Sequence, residues 1–105
     1  MDWEEKSYLI DEVINKLSEK TGQQVFFDDS RMWTLGYKDK DSGEYFGAQR
    51  GYMGGGVRGS IRTHAPEDNP EYRDLFKTAL EEIESIINSD TEGMESWEQN
   101  TGVLL

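Results

Sequence analysis

Arg31-Met32-Trp33-Thr34-Leu35-Gly36-Tyr37-Lys38 runs directly into Asp39-Lys40-Asp41-Ser42-Gly43, and the chain then returns as Glu44-Tyr45-Phe46-Gly47-Ala48-Gln49-Arg50-Gly51-Tyr52. The first run alternates: Trp33, Leu35 and Tyr37 fall on one face, Met32 and Thr34 on the other. A period of two belongs to a half-buried strand. The second run is turn composition, and the third is a returning strand. Upstream, residues 24–28 are a short β-rich run closed by Asp28-Asp29-Ser30. Downstream, Gly54-Gly55-Gly56 reverses the chain, and residues 57–63 alternate Val57, Ile61 and Thr63 against Arg58, Ser60 and Arg62. The middle of the chain is therefore a three- or four-stranded antiparallel meander.

On either side the period lengthens. Residues 3–20 predict a helix: Asp2 caps it, Glu5 completes a capping-box spacing, and Ile10, Val13, Ile14 and Leu17 form one apolar stripe. Lys16 and Lys20 suit its negative end, and Gly22 suits a left-handed exit. A second helix opens at Asn69 as cap, with Pro70 at its first position and Glu71 at its positive end. Tyr72, Leu75, Phe76, Ala79, Leu80, Ile83, Ile86 and Ile87 make its buried face, ending near Asn88. The expected fold is α+β: one small domain over residues 1–88, order α-β-β-β(-β)-α, with both amphipathic helices on one face of the sheet. Residues 89–105 form an acidic C-terminal extension. With Met94, Trp97, Val103, Leu104 and Leu105 it is too apolar for a plain solvated tail, so it is expected to dock, on its own domain, on a partner or across a homodimer.

Composition narrows the function. At 105 residues the chain holds one core. With no cysteine it has no disulfide framework, no thiolate nucleophile and no Cys-based zinc site. No apolar run exceeds three residues, and the start Met1-Asp2-Trp3-Glu4-Glu5 is acidic where a signal peptide would be basic, so a cytoplasmic protein without membrane contact is expected.

Eleven Lys and Arg face 22 Asp and Glu, a formal net charge of −11. The charge is uneven: residues 31–64 carry Arg31, Lys38, Lys40, Arg50, Arg58 and Arg62 against Asp39, Asp41 and Glu44, whereas residues 67–105 hold only Arg73 and Lys77 against eleven carboxylates. An acidic helix face has an ordinary use in solubility. It has a sharper one in meeting a basic surface, where a row of carboxylates stands in for phosphates. In size and charge the chain looks like phage-type anti-defence proteins, anti-CRISPRs and immunity-type inhibitors included, a resemblance of kind that no motif sharpens. It implies a non-catalytic inhibitor that blocks the nucleic-acid-binding or catalytic surface of a larger basic protein. The expected contacts are Asp74, Glu81, Glu82, Glu84, Asp90, Glu92, Glu95 and Glu98, read as exposed.

The alternative surface is the glycine-rich hairpin, Arg50, Tyr52, Gly54, Gly55, Gly56, Arg58 and Arg62, where aromatic and Arg side chains make up a binding hot spot or a nucleotide-sequestering loop. Gly54 to Gly59 fit G-x-G-x-x-G, yet a strand is expected where a dinucleotide site needs a helix N-terminus. Gly47, Gly51 and Gly59 sit inside strand patterns, where glycine marks a close approach, by a helix crossing the sheet, by a ligand or by a partner's backbone. The element order resembles the double-stranded-RNA-binding domain in outline, but Glu81, Glu82 and Glu84 occupy the helix that should be basic, so direct nucleic-acid binding is disfavoured. His64 beside Glu67 and Asp68 has no nucleophile to serve. Asp28-Asp29 and Asp39-x-Asp41-x-Gly43 invite a metal, but the twelfth position of a calcium loop counted from Asp39 is Arg50, which does not ligate. No cofactor or metal is expected.

Overall fold

A computed structural model of the chain describes residues 2–52 and 58–89. Their elements are α1 (Trp3–Thr21), β1 (Phe26–Asp28), β2 (Trp33–Lys38), β3 (Tyr45–Tyr52), β4 (Arg58–His64) and α2 (Tyr72–Asn88). The strands form one antiparallel sheet in chain order, β1-β2-β3-β4. This is the expected α+β meander between two helices, with four strands. α2 lies on β2, β3 and β4, and α1 packs against α2.

Local chemistry explains the boundaries. Asp2 Oδ1 accepts from the Glu5 N–H at 2.9 Å and the Glu5 carboxylate accepts from the Asp2 N–H at 3.4 Å, so the capping box closes α1 as read. Gly22 leaves it at φ 68°. β1 is shorter than the run 24–28 because the Val25 N–H is taken by Ser18 Oγ of α1 at 3.2 Å, outside the ladder. Asn69 does not cap α2, contrary to its reading. It already closes a turn on the Pro66 carbonyl, and its amide donates to the Glu71 carboxylate at 3.1 Å. The first turn is entered instead through bonds from the Tyr72 and Arg73 N–H groups to the Asn69 and Pro70 carbonyls.

One core joins these elements. Leu35, Tyr37, Phe76, Leu80 and Ile83 are its most deeply buried large side chains. Tyr37 contacts Phe46 and Phe76 with ring centroids 5.7 and 5.8 Å apart. Ile10, Val13 and Leu17 close the core from α1. α2 has no cation in its own last turn; Lys6 of α1, only 4% exposed, donates to the Ile87 carbonyl at 2.8 Å and supplies the charge that its C-terminus favours.

The β2–β3 turn is held by Asp39, whose carboxylate accepts from the Ser42 N–H at 2.9 Å and the Ser42 hydroxyl at 3.0 Å. These bonds hold its pKa below the ordinary value, as Ser30 does for Asp28 and Asn69 for Glu71. A carboxylate whose folded pKa is depressed stabilises the fold above its unfolded pKa, and that contribution is lost as pH falls through the folded value. The urea midpoint is therefore expected to hold level above the carboxylate range and to drop on acidification below it. An Asp39→Asn/Asp28→Asn variant should show a shallower drop; an unchanged slope would mean that these turns contribute nothing.

Candidate interaction surfaces

The helix layer carries acid outward. Glu4, Glu5, Asp11, Glu12 and Glu19 of α1 and Asp74, Glu81 and Glu82 of α2 are all exposed, against exposed Lys16, Lys20, Arg73 and Lys77. Glu5, Glu12 and Glu19 are spaced by seven and lie along one stripe; Asp74 and Glu81 repeat that spacing on α2. The α1 carboxylates were missed from the sequence because they stand among lysines, although their spacing was there to be read.

Glu84 does not belong to this surface. It is 5% exposed and forms a two-pronged pair with Arg50: Nε donates to Oε2 at 2.8 Å and Nη2 to Oε1 at 2.9 Å. Nη1 of the same guanidinium donates to the Gly59 carbonyl at 2.6 Å. The reading of Glu84 as exposed is thus corrected: it faces the sheet, one residue along α2 from buried Ile83. Arg50 is corrected with it. It pairs with Trp33 on β2 and Ile61 on β4, on the side of the sheet that α2 covers. Two side chains assigned to separate surfaces meet between the layers, where a bidentate ion pair fastens α2 to β3 and, through Gly59, to β4.

Of the other expected contacts, Asp74, Glu81, Glu82 and Arg62 are exposed as read. Asp90, Glu92, Glu95 and Glu98, Gly54, Gly55 and Gly56, the side chains of Tyr52 and Arg58, and the docking of the extension all fall outside the described residues. Tyr52 and Arg58 are paired through their backbones, with a register shift between Arg50 and Tyr52. A strand begins at Arg58, so no helix N-terminus follows the glycines to hold a pyrophosphate. The Asp39 carboxylate is engaged by Ser42, and among the described residues no acidic or His group clusters as a metal site.

The sheet face away from the helices has its own character. One row of cross-strand partners runs Phe26, Gly36, Gly47, His64 from β1 to β4; the next runs Asp28, Thr34, Gln49, Arg62. Gly47 is closely approached, but by none of the three neighbours expected from the sequence. A Cβ on Gly47 would run into the Leu35 carbonyl oxygen, and one on Gly36 into the Phe46 carbonyl oxygen, so the close neighbour is the adjacent strand's backbone. Gly51 has nothing within 4 Å of such an atom and is not explained this way. Above the bare glycines lies a depression of about 320 Å³. Phe26 and Tyr45 meet edge to face beside it at 6.2 Å, and the Gln49 amide donates to Thr34 Oγ1 at 3.3 Å. His64 stacks on Phe46 at 4.8 Å and lies 3.3 Å from the Glu44 carboxylate. Comparison of the chain with protein-family models, with curated proteins and with solved structures finds no significant match in any of the three.

Proposed function

We propose that this chain is a non-catalytic binding protein that sets the acidic outer side of its helix layer against a basic surface of a larger partner, in the manner of an inhibitor occupying a nucleic-acid-binding cleft. The reading rests on the segregation of charge: exposed carboxylates of both helices share one layer, while the one carboxylate of α2 that is buried is committed to Arg50. Carboxylates on rigid helices need little ordering on binding, and a cleft built for phosphates presents the complementary potential. The contact set is revised accordingly to Asp74, Glu81 and Glu82, extended by Glu5, Glu12 and Glu19.

The test is capture of partners from host lysate, with identification by mass spectrometry, at low and high salt and with added DNA. A basic nucleic-acid-binding protein retained at low salt, released by salt and displaced by DNA is the expected result. Asp74→Lys/Glu81→Lys/Glu82→Lys should weaken that complex by on the order of 10-fold or more, mainly through slower association. Its far-UV spectrum should match wild type, since all three positions are exposed. Unchanged affinity in this variant would remove the helix layer as the interface.

A further inference from the structure

We propose that the glycine-floored depression on the uncovered sheet face is a binding site for a small anion that joins a planar aromatic ring to a phosphate, of which a mononucleotide, with a ribose between the two, is the type.

The argument starts from the row Phe26, Gly36, Gly47, His64. Strands lie about 4.8 Å apart, so the outer two positions stand roughly 14 Å from each other with two bare positions between them. That is a flat floor with the Phe26 ring at one end and His64, its ring stacked on Phe46, at the other, a shape that receives a planar group. The Phe26 and Tyr45 rings meet edge to face at one end of this floor and both line the depression. Tyr45 stays 61% exposed although its ring meets Phe26, which leaves aromatic surface open to solvent.

Polar groups are placed at one edge. Thr34 and Gln49 are bonded to each other, and among the described residues the Gln49 amide oxygen accepts nothing, which leaves it to read a ring N–H. Arg62 is next in that row. The chain has 22 carboxylates for 11 cations, yet among the described residues no carboxylate pairs with Arg62. Asp28 shares the row on the far strand, and its carboxylate accepts from the Ser30 N–H at 2.9 Å. Lys38 stands 5.9 Å over the Tyr45 ring, adding a second cation to the rim. A guanidinium with no carboxylate partner among the described residues, beside an apolar floor, complements an anion attached to a ring. The volume, about 320 Å³, suits a ligand of one ring system and one phosphate. A net charge of −11 disfavours a long polyanion on the same face.

The experiment is titration of the full isotopically labelled chain with 5′-GMP and with 5′-AMP, followed by amide chemical shifts, with guanosine, inorganic phosphate and a single-stranded oligothymidine as comparison probes. The expected result is a saturating shift with at least one mononucleotide, at millimolar or lower concentration, centred on Gly36, Gly47, Gln49 and Arg62. Guanosine or phosphate alone should bind at least ten-fold more weakly. Arg62→Gln and Tyr45→Ala, both on exposed side chains that leave the fold intact, should each weaken binding about ten-fold, within the usual range for hot-spot truncation. The proposal is overturned by no saturating shift with either nucleotide, by an equal response to phosphate alone, or by wild-type affinity in both variants. Tighter binding of oligothymidine than of either mononucleotide also overturns it, in favour of a single-stranded nucleic acid on the same face.

Discussion

Glu84→Ala is expected to lower the unfolding free energy by about 3 kcal/mol or more, whereas Glu81→Ala and Glu82→Ala, on the same helix, should stay within about 0.5 kcal/mol of wild type. The difference lies in what is left behind. Removing Glu84 takes the bidentate carboxylate from the Arg50 guanidinium, whose side chain is 18% exposed, and a neutral carbonyl such as that of Gly59 does not replace its charge. Removing Glu81 or Glu82 returns solvated helix surface to water. Chemical denaturation read by circular dichroism distinguishes the three. High salt should leave the Glu84 effect nearly unchanged, because a pair held between layers is little screened. The double replacement Arg50→Met/Glu84→Leu should recover most of the loss, since apolar groups of similar volume need no partner. If Glu84→Ala costs no more than Glu81→Ala, the ion pair is incidental to the fold.

The same prediction bears on the acidic surface. A charge-reversal set containing Glu84 would confound loss of binding with loss of structure. A set confined to Asp74, Glu81 and Glu82 isolates the interface. Burial of Glu84 also shows how one helix serves two ends: at the edge of its buried face α2 grips the sheet through a carboxylate, while its exposed positions offer Asp74, Glu81 and Glu82 outward.

The element order was legible because each signal was local. The capping box of Asp2 and Glu5, the alternation of Trp33, Leu35 and Tyr37, and the apolar stripe of α2 each act within a few residues. What was illegible was non-local. Glu84 reads as solvent-facing in a run of Glu81, Glu82 and Glu84, since its partner stands 34 positions earlier. Lys6 reads as an ordinary surface lysine because the carbonyl it caps lies 81 positions later. Gly36 and Gly47 occupy an intermediate case. Counting outward from the Asp39–Gly43 turn would pair Tyr37 with Tyr45 and Gly36 with Phe46, whereas the register is displaced by one residue and sets Gly36 against Gly47, so the glycines were visible in the sequence but their pairing was not. The flanking rows needed the register of β1 and β4, which the sequence specifies only weakly.

Gly47→Ala is expected to be the most damaging single substitution on the sheet. Two costs act together. The backbone holds φ at +143°, a conformation that L side chains rarely adopt and that costs about 1–3 kcal/mol for other residues. The added Cβ would also run into the Leu35 carbonyl oxygen and come within 2.6 Å of Gly36 Cα, backbone atoms that cannot rotate away. Overpacking of this kind adds about 1–3 kcal/mol. A total of roughly 3 kcal/mol or more corresponds to a fall in Tm of about 12 °C or more for a domain of this size. Gly36→Ala should cost less: no positive φ is recorded there, but its Cβ would run into the Phe46 carbonyl oxygen. Gly51→Ala on the same strand is the control, with open space around the added atom and an expected change within about 0.5 kcal/mol. Thermal melts of the three variants order them as Gly47, Gly36, Gly51. A Gly47→Ala variant melting with the Gly51→Ala control would mean that β2 and β3 separate to admit a side chain. The glycine pair would then be dispensable to the sheet.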